Sequence, residues 1–245
     1  MFNFFTLFRN KEIPSIDFSI LKSDMHSHLI PSVDDGSKSI EESIRLINKM
    51  KSLGFSKIIT TPHTMSDVYK NSSEDIIDGM KKLKMELDLR KIKISFDAAS
   101  EYYIDFDFTN NIGKNNFLTF GHKYILVEFS FFEKPNNLDE IIFNLQSSGY
   151  NVVFAHPERY LYLSMKDYRK FVSKGVFLQL NLLSITGYYS TKVLNKAKDL
   201  INEDLISFVG TDCHNESQIE VLKLCFTNPL WHKLSISKKL LNRTL

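Results

Sequence analysis

Two histidines separated by one small residue, His26 and His28 in the stretch DMHSHLIPSVDDG, stand just ahead of a Pro- and Gly-punctuated loop carrying Asp34 and Asp35. Histidine is scarce, seven in 245 residues, so the pairing asks for a chemical reason. On an extended strand residues i and i+2 project to the same side. His26 and His28 can therefore clasp one ion, and Asp212 and His214 in GTDCH can do likewise. Imidazoles and carboxylates recur where other apolar runs give way to polar segments: His63 in TTPH, Glu101 in SEYY, Glu128 in LVEFS and His156 in FAHPER. Asp35, on the loop after His28, can reach in beside them. Imidazole with carboxylate and no thiolate suits divalent ions such as manganese, iron or zinc. These nine candidates exceed the roughly four to six ligands one ion takes, so two or three ions is the natural count. Ions a few ångströms apart clamp phosphoryl oxygens and activate a water. Arg159, close after His156, adds a planar fork that matches phosphate oxygens.

Seven β-branched or aromatic runs would position these residues: 23–28, 56–63, 93–103, 123–130, 150–159, 175–181 and 205–214. Helical periods lie between them, at 37–54, 73–91, 137–148, 165–174, 190–203 and 215–226. In the first helix Ile40, Ile44, Ile47 and Met50 share a face, Ser39 with Glu42 makes a capping-box pattern, and Gly54 supplies the stop. Alternating strand and helix predicts parallel strands with right-handed crossovers. Seven such units favour one closed or nearly closed barrel over two domains. Every candidate ligand then falls at a carboxyl end, which in a parallel barrel is one face of the molecule. Residues 104–122 read as a long connection. The chain divides into an extension at 1–22 and one barrel domain at 23–245.

Composition excludes several other classes. The net charge of +2 gives no basic field for nucleic acid or an anionic membrane. No apolar run approaches the roughly 20 residues that span a bilayer. The opening MFNFFTLFRNKEIP lacks the basic start and cleavage site of a signal peptide, and its phenylalanines read as a strip packed against the domain. A cytoplasmic location follows. Two cysteines, Cys213 and Cys225, make no disulfide framework. Neither starts a Cys-x5-Arg phosphate loop, since Ile219 and Trp231 stand where the arginine should be. Cys213 lies between two candidate ligands but on the opposite side of an extended strand, where it reads as a small core residue. No Walker A, G-x-S-x-G or G-x-G-x-x-G pattern occurs.

Taken in order, DMHSHLIPSVDDGSKS, TTPH, SEYY, LVEFS, AHPERY and GTDCH resemble the PHP (polymerase and histidinol phosphatase) superfamily. More narrowly they are similar to its bacterial protein-tyrosine phosphatase branch, linked to capsule and exopolysaccharide synthesis. The likeness runs from about residue 23 to 230. It implies a distorted (β/α)7 barrel with a trinuclear, commonly manganese-dependent centre at the carboxyl ends of the strands. Carried over, one ion would use His26, His28, Glu101 and Asp212. A second would share Glu101 with Glu128 and His156, and a third would take Asp35, His63 and His214. Arg159 would match the branch's phosphate-binding arginine. The branch often carries a second arginine shortly after the D-x-H motif, and HNESQIE has none before Lys223.

The resemblance implies a phosphomonoesterase using metal-activated water on phosphotyrosine protein, with the tyrosine-rich tail of a bacterial tyrosine kinase as the expected substrate. Tyr102, Tyr103, Phe131, Phe132 and Tyr160 fall near the expected mouth, where they can either wall a phenyl ring or serve as ordinary packing. The alternatives are a small-molecule phosphatase of the same superfamily, such as one for histidinol phosphate, and a regulatory metal-binding module that has lost turnover.

Overall fold

The computed structural model describes residues 13–114 and 116–245. Nine strand pieces are all paired parallel: β1 (Ser23–Asp24), β2 (Lys57–Thr60), β3 (His63–Thr64), β4 (Ser95–Ala98), β5 (Glu101–Tyr103), β6 (Tyr124–Glu128), β7 (Asn151–Ala155), β8 (Phe177–Asn181) and β9 (Phe208–Gly210). They form two ladders, β1-β2-β4 and β3-β5-β6-β7-β8-β9. The expected second strand is β2 plus β3, and the third is β4 plus β5, so the seven expected runs become nine pieces. The break has a local cause: Pro62, between β2 and β3, has no N–H to give the ladder. Bonds from Ala99 N–H to Thr60 O (2.9 Å) and Glu101 N–H to Pro62 O (3.1 Å) carry the pairing across the bend.

The seventh run closes on the first. Ser27 and Cys213 form an isolated parallel bridge, flanked by bonds from His28 N–H to Cys213 O (2.9 Å) and Asp212 N–H to His26 O (2.8 Å). At the opposite end the Asn242 amide takes the place of a ladder. It donates to Ser23 O (3.1 Å) and Val209 O (2.7 Å) and accepts Val209 N–H (2.9 Å). This is the nearly closed parallel α/β barrel that the alternation predicts, distorted as the family resemblance implies.

Eight helices occur among the described residues: α1 (Ile40–Ser52), α2 (Ser73–Leu89), α3 (Phe106–Asn111), α4 (Leu138–Ser147), α5 (Met165–Ser173), α6 (Thr191–Asn202), α7 (Glu216–Leu222) and α8 (Pro229–Ser235). In α1 Ser39 accepts the Glu42 N–H, but the Glu42 carboxylate takes the Lys38 N–H, one residue outside the reciprocal box the sequence suggests. Gly54, at φ +108, lets the chain leave that helix while passing close to Ser19. The stretch 104–122 is not all connection, because Asp105 accepts the Phe108 N–H at 2.8 Å and caps α3. Six residues are too few to display a helical period.

Alternation along the strands builds two cores. On β6, Tyr124 and Leu126 point into the barrel with Met25, Ile59, Ala99, Val153, Ala155 and Phe208. Ile125 and Val127 point outward, beneath the helices. Glu128 continues the inward series and is thereby delivered to the barrel mouth. Of the N-terminal extension, Phe18 is buried and packs on Phe55 and Trp231, with ring centroids 5.2 and 5.1 Å away. The strip formed by Phe2, Phe4, Phe5 and Phe8 lies outside the described residues.

Candidate metal centre

Strand register brings the first donors together. His63 pairs with Glu101 across β3 and β5, and Tyr103 with Glu128 across β5 and β6. As a result His63 Nδ1 sits 3.0 Å from both Glu101 Oε2 and Glu128 Oε1. From the next strand, His156 Nε2 lies 3.0 Å from Glu101 Oε1 and 3.6 Å from Glu128 Oε2. The first and last runs close the ring. Glu101 Oε2 is 3.3 Å from His26 Nε2 and 3.6 Å from His28 Nε2, while Asp212 Oδ1 is 3.4 and 3.3 Å from the same atoms. Asp35 reaches over the lip to His63 Nε2 (3.6 Å) and His214 Nε2 (3.4 Å).

All nine candidate ligands thus meet in one cluster. Donor atoms lie within 4.8 Å of one another in four overlapping sets: His28, Asp35, His63 and His214; His26, His28 and Glu101; His26, His156 and Asp212; and His63, Glu101 and Glu128. His26, His28, His63 and Glu101 each belong to two of these sets and so run them together. His122 and His232 stay outside these sets.

Backbone shape serves the cluster. His156 (φ 33) and Asp212 (φ 50) both adopt left-handed conformations that are costly for residues with a Cβ. Asp212 is therefore not on an extended strand, which ends at Gly210; the backbone turn, rather than strand alternation, aims it. A Cβ on Gly210 would come within 2.6 Å of His26 Cβ and 2.8 Å of Gln179 Nε2, so only glycine lets β9 pass beneath the cluster. Cys213 is fully buried in the outer core, and burial pushes its thiol pKa up.

An outer ring fixes the imidazoles. His26 Nδ1 meets Gln179 Oε1 at 2.8 Å, His28 Nδ1 meets Asp34 Oδ2 at 2.7 Å, and His214 Nδ1 meets the Asp212 carbonyl at 2.8 Å. Each partner is an acceptor, so each Nδ1 carries the hydrogen and each Nε2 turns a lone pair inward. Asp34 also accepts the N–H groups of Gly36 (3.0 Å) and His63 (3.0 Å). Burial opposes its ionisation, but His28 and these bonds outweigh it and lower its pKa to about 2.

Asp212 divides its oxygens between two tasks. Oδ1 faces the imidazoles, while Oδ2 accepts from Asn181 Nδ2 (2.7 Å), the Tyr189 hydroxyl (3.4 Å) and Arg159 NH1 (3.5 Å). The sequence reading missed Gln179, Asn181 and Tyr189. Gln179 and Asn181 had a signal, two amides at i and i+2 near the end of the otherwise apolar strand GVFLQLN. Tyr189 had none.

A donor set of imidazoles and carboxylates, with no thiolate, fits divalent cations. Two observations sharpen the fit: Glu101 Oε2 is buried without a hydrogen-bond partner, and the lone-pair faces of His26 and His28 point at each other 3.3 Å apart. Absent a cation, protons must neutralise the carboxylates. Burial disfavours charged imidazoles, yet Glu101 and Asp212 push His26 up to about 10, Glu101 and Glu128 push His63 to about 12, and Asp212 and Asp35 push His214 to about 9.

The cluster floors a cavity of about 610 Å³ bordered by Met65, Tyr103, Phe131, Phe132, Arg159 and Tyr189. Arg159 is the only lysine or arginine among the described residues lining it. Of the five aromatics expected at the mouth, Tyr103, Phe131 and Phe132 are there. Tyr102 is buried, accepting the Leu118 N–H and packing on Phe108 and Phe117. Tyr160 is buried too, stacked on Phe129 at 4.1 Å. Both correct the expectation: their rings belong to the core.

The model of the family described as capsular polysaccharide synthesis, CpsB/CapC, matches residues 22–226. The tyrosine-protein phosphatase YwqE of Bacillus subtilis (strain 168) is 29% identical over 231 residues, 90% of this chain and 91% of that protein. The putative tyrosine-protein phosphatase CapC of Staphylococcus aureus is 26% identical over 195 residues, 78% of this chain and 76% of that one. A chain from the crystal structures of YwqE from Bacillus subtilis and CpsB from Streptococcus pneumoniae, described as metal-dependent tyrosine phosphatases, superposes with a TM-score of 0.75 at 28% identity. That match covers 86% of this chain and 90% of that one. A histidinol phosphate phosphatase from Lactococcus lactis, solved with zinc, L-histidinol and phosphate, superposes with a TM-score of 0.54 at 15% identity, covering 89% and 94%, and shares the fold.

Proposed function

The chain belongs to the CpsB/CapC family of capsular polysaccharide synthesis, and on that premise we propose that it is a metal-dependent tyrosine-protein phosphatase. The observation that carries this reading is the convergence of five imidazoles and four carboxylates in one cluster, beside a cavity whose described lining holds a single guanidinium. His26, His28, Asp35, His63, Glu101, Glu128, His156, Asp212 and His214 are the proposed ligands of two or three divalent ions, with manganese the first choice and iron or zinc the others. Bound there, such ions would supply Lewis acidity toward phosphoryl oxygens and, by lowering the pKa of water, hydroxide as the nucleophile near neutral pH.

The chain's own residues set the rest of the chemistry. Gln179, Asp34 and the Asp212 carbonyl keep three imidazoles in the tautomer that binds cations. Arg159 offers guanidinium N–H groups to the charge that grows on the phosphoryl oxygens. Tyr103, Phe131 and Phe132 border the cavity where a phenyl ring would lie over the cluster. The substrate we propose is a phosphotyrosine polypeptide, and the family's capsule setting makes the tail of a bacterial tyrosine kinase the partner to test. No described helix is long and apolar enough to cross a membrane, and we place the chain in the cytoplasm, where such a kinase tail would be exposed.

The test is a comparison of substrates on protein stripped by chelation and reloaded with manganese. Hydrolysis of a phosphotyrosine peptide should exceed that of histidinol phosphate and phosphoserine peptide, and should vanish on renewed chelation. Equal or greater turnover of histidinol phosphate would turn the reading to a small-molecule phosphatase.

A further inference from the structure

Arg159 is poorly held by charge. Its side chain's one polar contact among the described residues is NH1 to Asp212 Oδ2 at 3.5 Å, the outer limit of a hydrogen bond. It is well held by aromatic faces. The guanidinium carbon lies 4.3 Å from the ring centre of Phe131 and 4.7 Å from that of Tyr189. The two rings come from separate parts of the barrel, Phe131 from the loop after β6 and Tyr189 from the loop after β8.

We propose that Phe131 and Tyr189 are positioning residues, an aromatic clamp that presents Arg159 to the phosphoryl group. A long arginine on a loop loses rotamer freedom whenever it must hold one pose. Stacking on flat faces fixes the guanidinium plane while leaving its N–H edge open, because the attraction runs through the π face and uses none of the donors. A strong ion pair would fix the plane too, but it would occupy the fork that phosphate must fill. The weak bond to Asp212 therefore suits a group that has to let go when substrate arrives. It also leaves Asp212 in need of other partners, and Asn181 and the Tyr189 hydroxyl supply them. Asn181 Nδ2 donates to the Tyr189 oxygen as well, at 2.9 Å, so the hydroxyl is held by its own partners. Tyr189 thus has two separable parts: a face for Arg159 and a hydroxyl for Asp212.

The clamp rests on the proposal that Arg159 grips phosphate, and the experiment separates the two. Manganese-loaded wild type, Tyr189→Phe, Tyr189→Leu, Arg159→Ala and Tyr189→Leu/Arg159→Ala are compared in kcat/KM on phosphotyrosine peptide, inhibition by inorganic phosphate, and bound manganese. Tyr188→Leu, an exposed neighbour outside the cavity, is the control. Losing one aromatic face should lower kcat/KM and weaken phosphate inhibition roughly 3- to 30-fold in Tyr189→Leu. Tyr189→Phe keeps the face and should retain most of both, and manganese content should hold in each. In the Arg159→Ala background Tyr189→Leu should cost nothing further, because nothing is left to present. An equal loss in both backgrounds, or no loss in either, removes the clamp and leaves the role of Arg159 intact. If Arg159→Ala itself keeps wild-type kinetics and phosphate inhibition, the phosphate-gripping reading falls and the clamp falls with it.

Discussion

His26 Nε2 and His28 Nε2 face each other at 3.3 Å, each imidazole anchored from behind through Nδ1. With both hydrogens committed outward to Gln179 and Asp34, the inner atoms are two lone pairs, and lone pairs do not bond to one another. A cation between them, or a proton on one of them, resolves the conflict. The carboxylates of Glu101 and Asp212 within 3.6 Å make a doubly charged cation the better solution. Protein purified without chelator should therefore carry two to three divalent ions per chain by elemental analysis. Chelation should abolish phosphatase activity and manganese should restore it. Protein that neither contains nor takes up a transition metal would remove the basis of the proposed chemistry.

The anchor behind His28 makes its own prediction. Asp34 is an acceptor only, whereas an asparagine can present its NH2 and favour the other tautomer of His28. Asp34→Asn should lower manganese affinity about 10- to 100-fold while leaving the fold intact. Titration of the stripped variant with manganese measures this directly, with circular dichroism as the check on folding. Unchanged affinity would mean that His28 needs no anchor to keep its lone pair inward.

Protons and metal compete for the same atoms, which gives a signed dependence on pH. In the metal-free protein His26, His63 and His214 are raised to about 10, 12 and 9, above the about 6.5 of an unfolded imidazole. Raised folded values mean that the native state binds more protons. The stabilisation is therefore complete below about pH 6.5 and is lost as pH climbs through the folded values. Glu101 and Asp212, held far below their ordinary values by the imidazoles that outweigh their burial, remain ionised throughout this window. The melting temperature of chelated protein should fall between about pH 7 and 9, while the manganese-loaded form falls less. The gap between the two should widen with pH. A gap that is constant over this range would show that metal displaces no protons.

Much of this site was legible because ligands at strand ends announce themselves by type. Imidazoles and carboxylates have no reason to recur where parallel strands stop, and a barrel gathers those ends on one face. The supporting shell was harder to read. Gln179 and Asn181 could have been caught as amides on the inner face of an apolar strand, but Tyr189 approaches from a loop whose path the sequence does not dictate. Tyr102 and Tyr160 went the other way, since an aromatic beside a ligand in sequence can turn outward into the helix layer as easily as inward to the mouth. Asp212 was expected to aim by strand alternation and instead aims by a left-handed backbone, a conformation no residue-type pattern reveals for aspartate.

Arg159 has a role that charge alone does not define. If its fork receives the phosphoryl oxygens, Arg159→Ala should lose about 10²- to 10³-fold in turnover while retaining manganese. Arg159→Lys should recover only part of that loss, because an ammonium offers no planar pair of donors and stacks less well between Phe131 and Tyr189. Full recovery by lysine would reduce the side chain to a point charge.

Cys213 and His214 are neighbours, yet they divide the two chemistries by which phosphotyrosine can be hydrolysed. The Cys213 sulfur is buried in the outer core, with burial raising its thiol pKa, and its backbone pairs with Ser27 to close the barrel. The His214 ring lies at the mouth, stacked on His28 with centroids 3.9 Å apart and Nε2 3.4 Å from Asp35. A thiolate mechanism needs an accessible, acidified cysteine, and Cys213 is neither. Cys213→Ser should keep most activity and lose about 1–3 kcal/mol of stability, because the hydroxyl enters a fully buried site where the Asn215 carbonyl, 3.7 Å from the sulfur, is the acceptor at hand. His214→Ala should bind less manganese and lose most turnover while folding normally. The comparison is made at saturating manganese, with melting temperature and metal content measured on both variants. A dead Cys213→Ser that is folded and fully loaded, beside an active His214→Ala, would assign the chemistry to sulfur and overturn the metal reading.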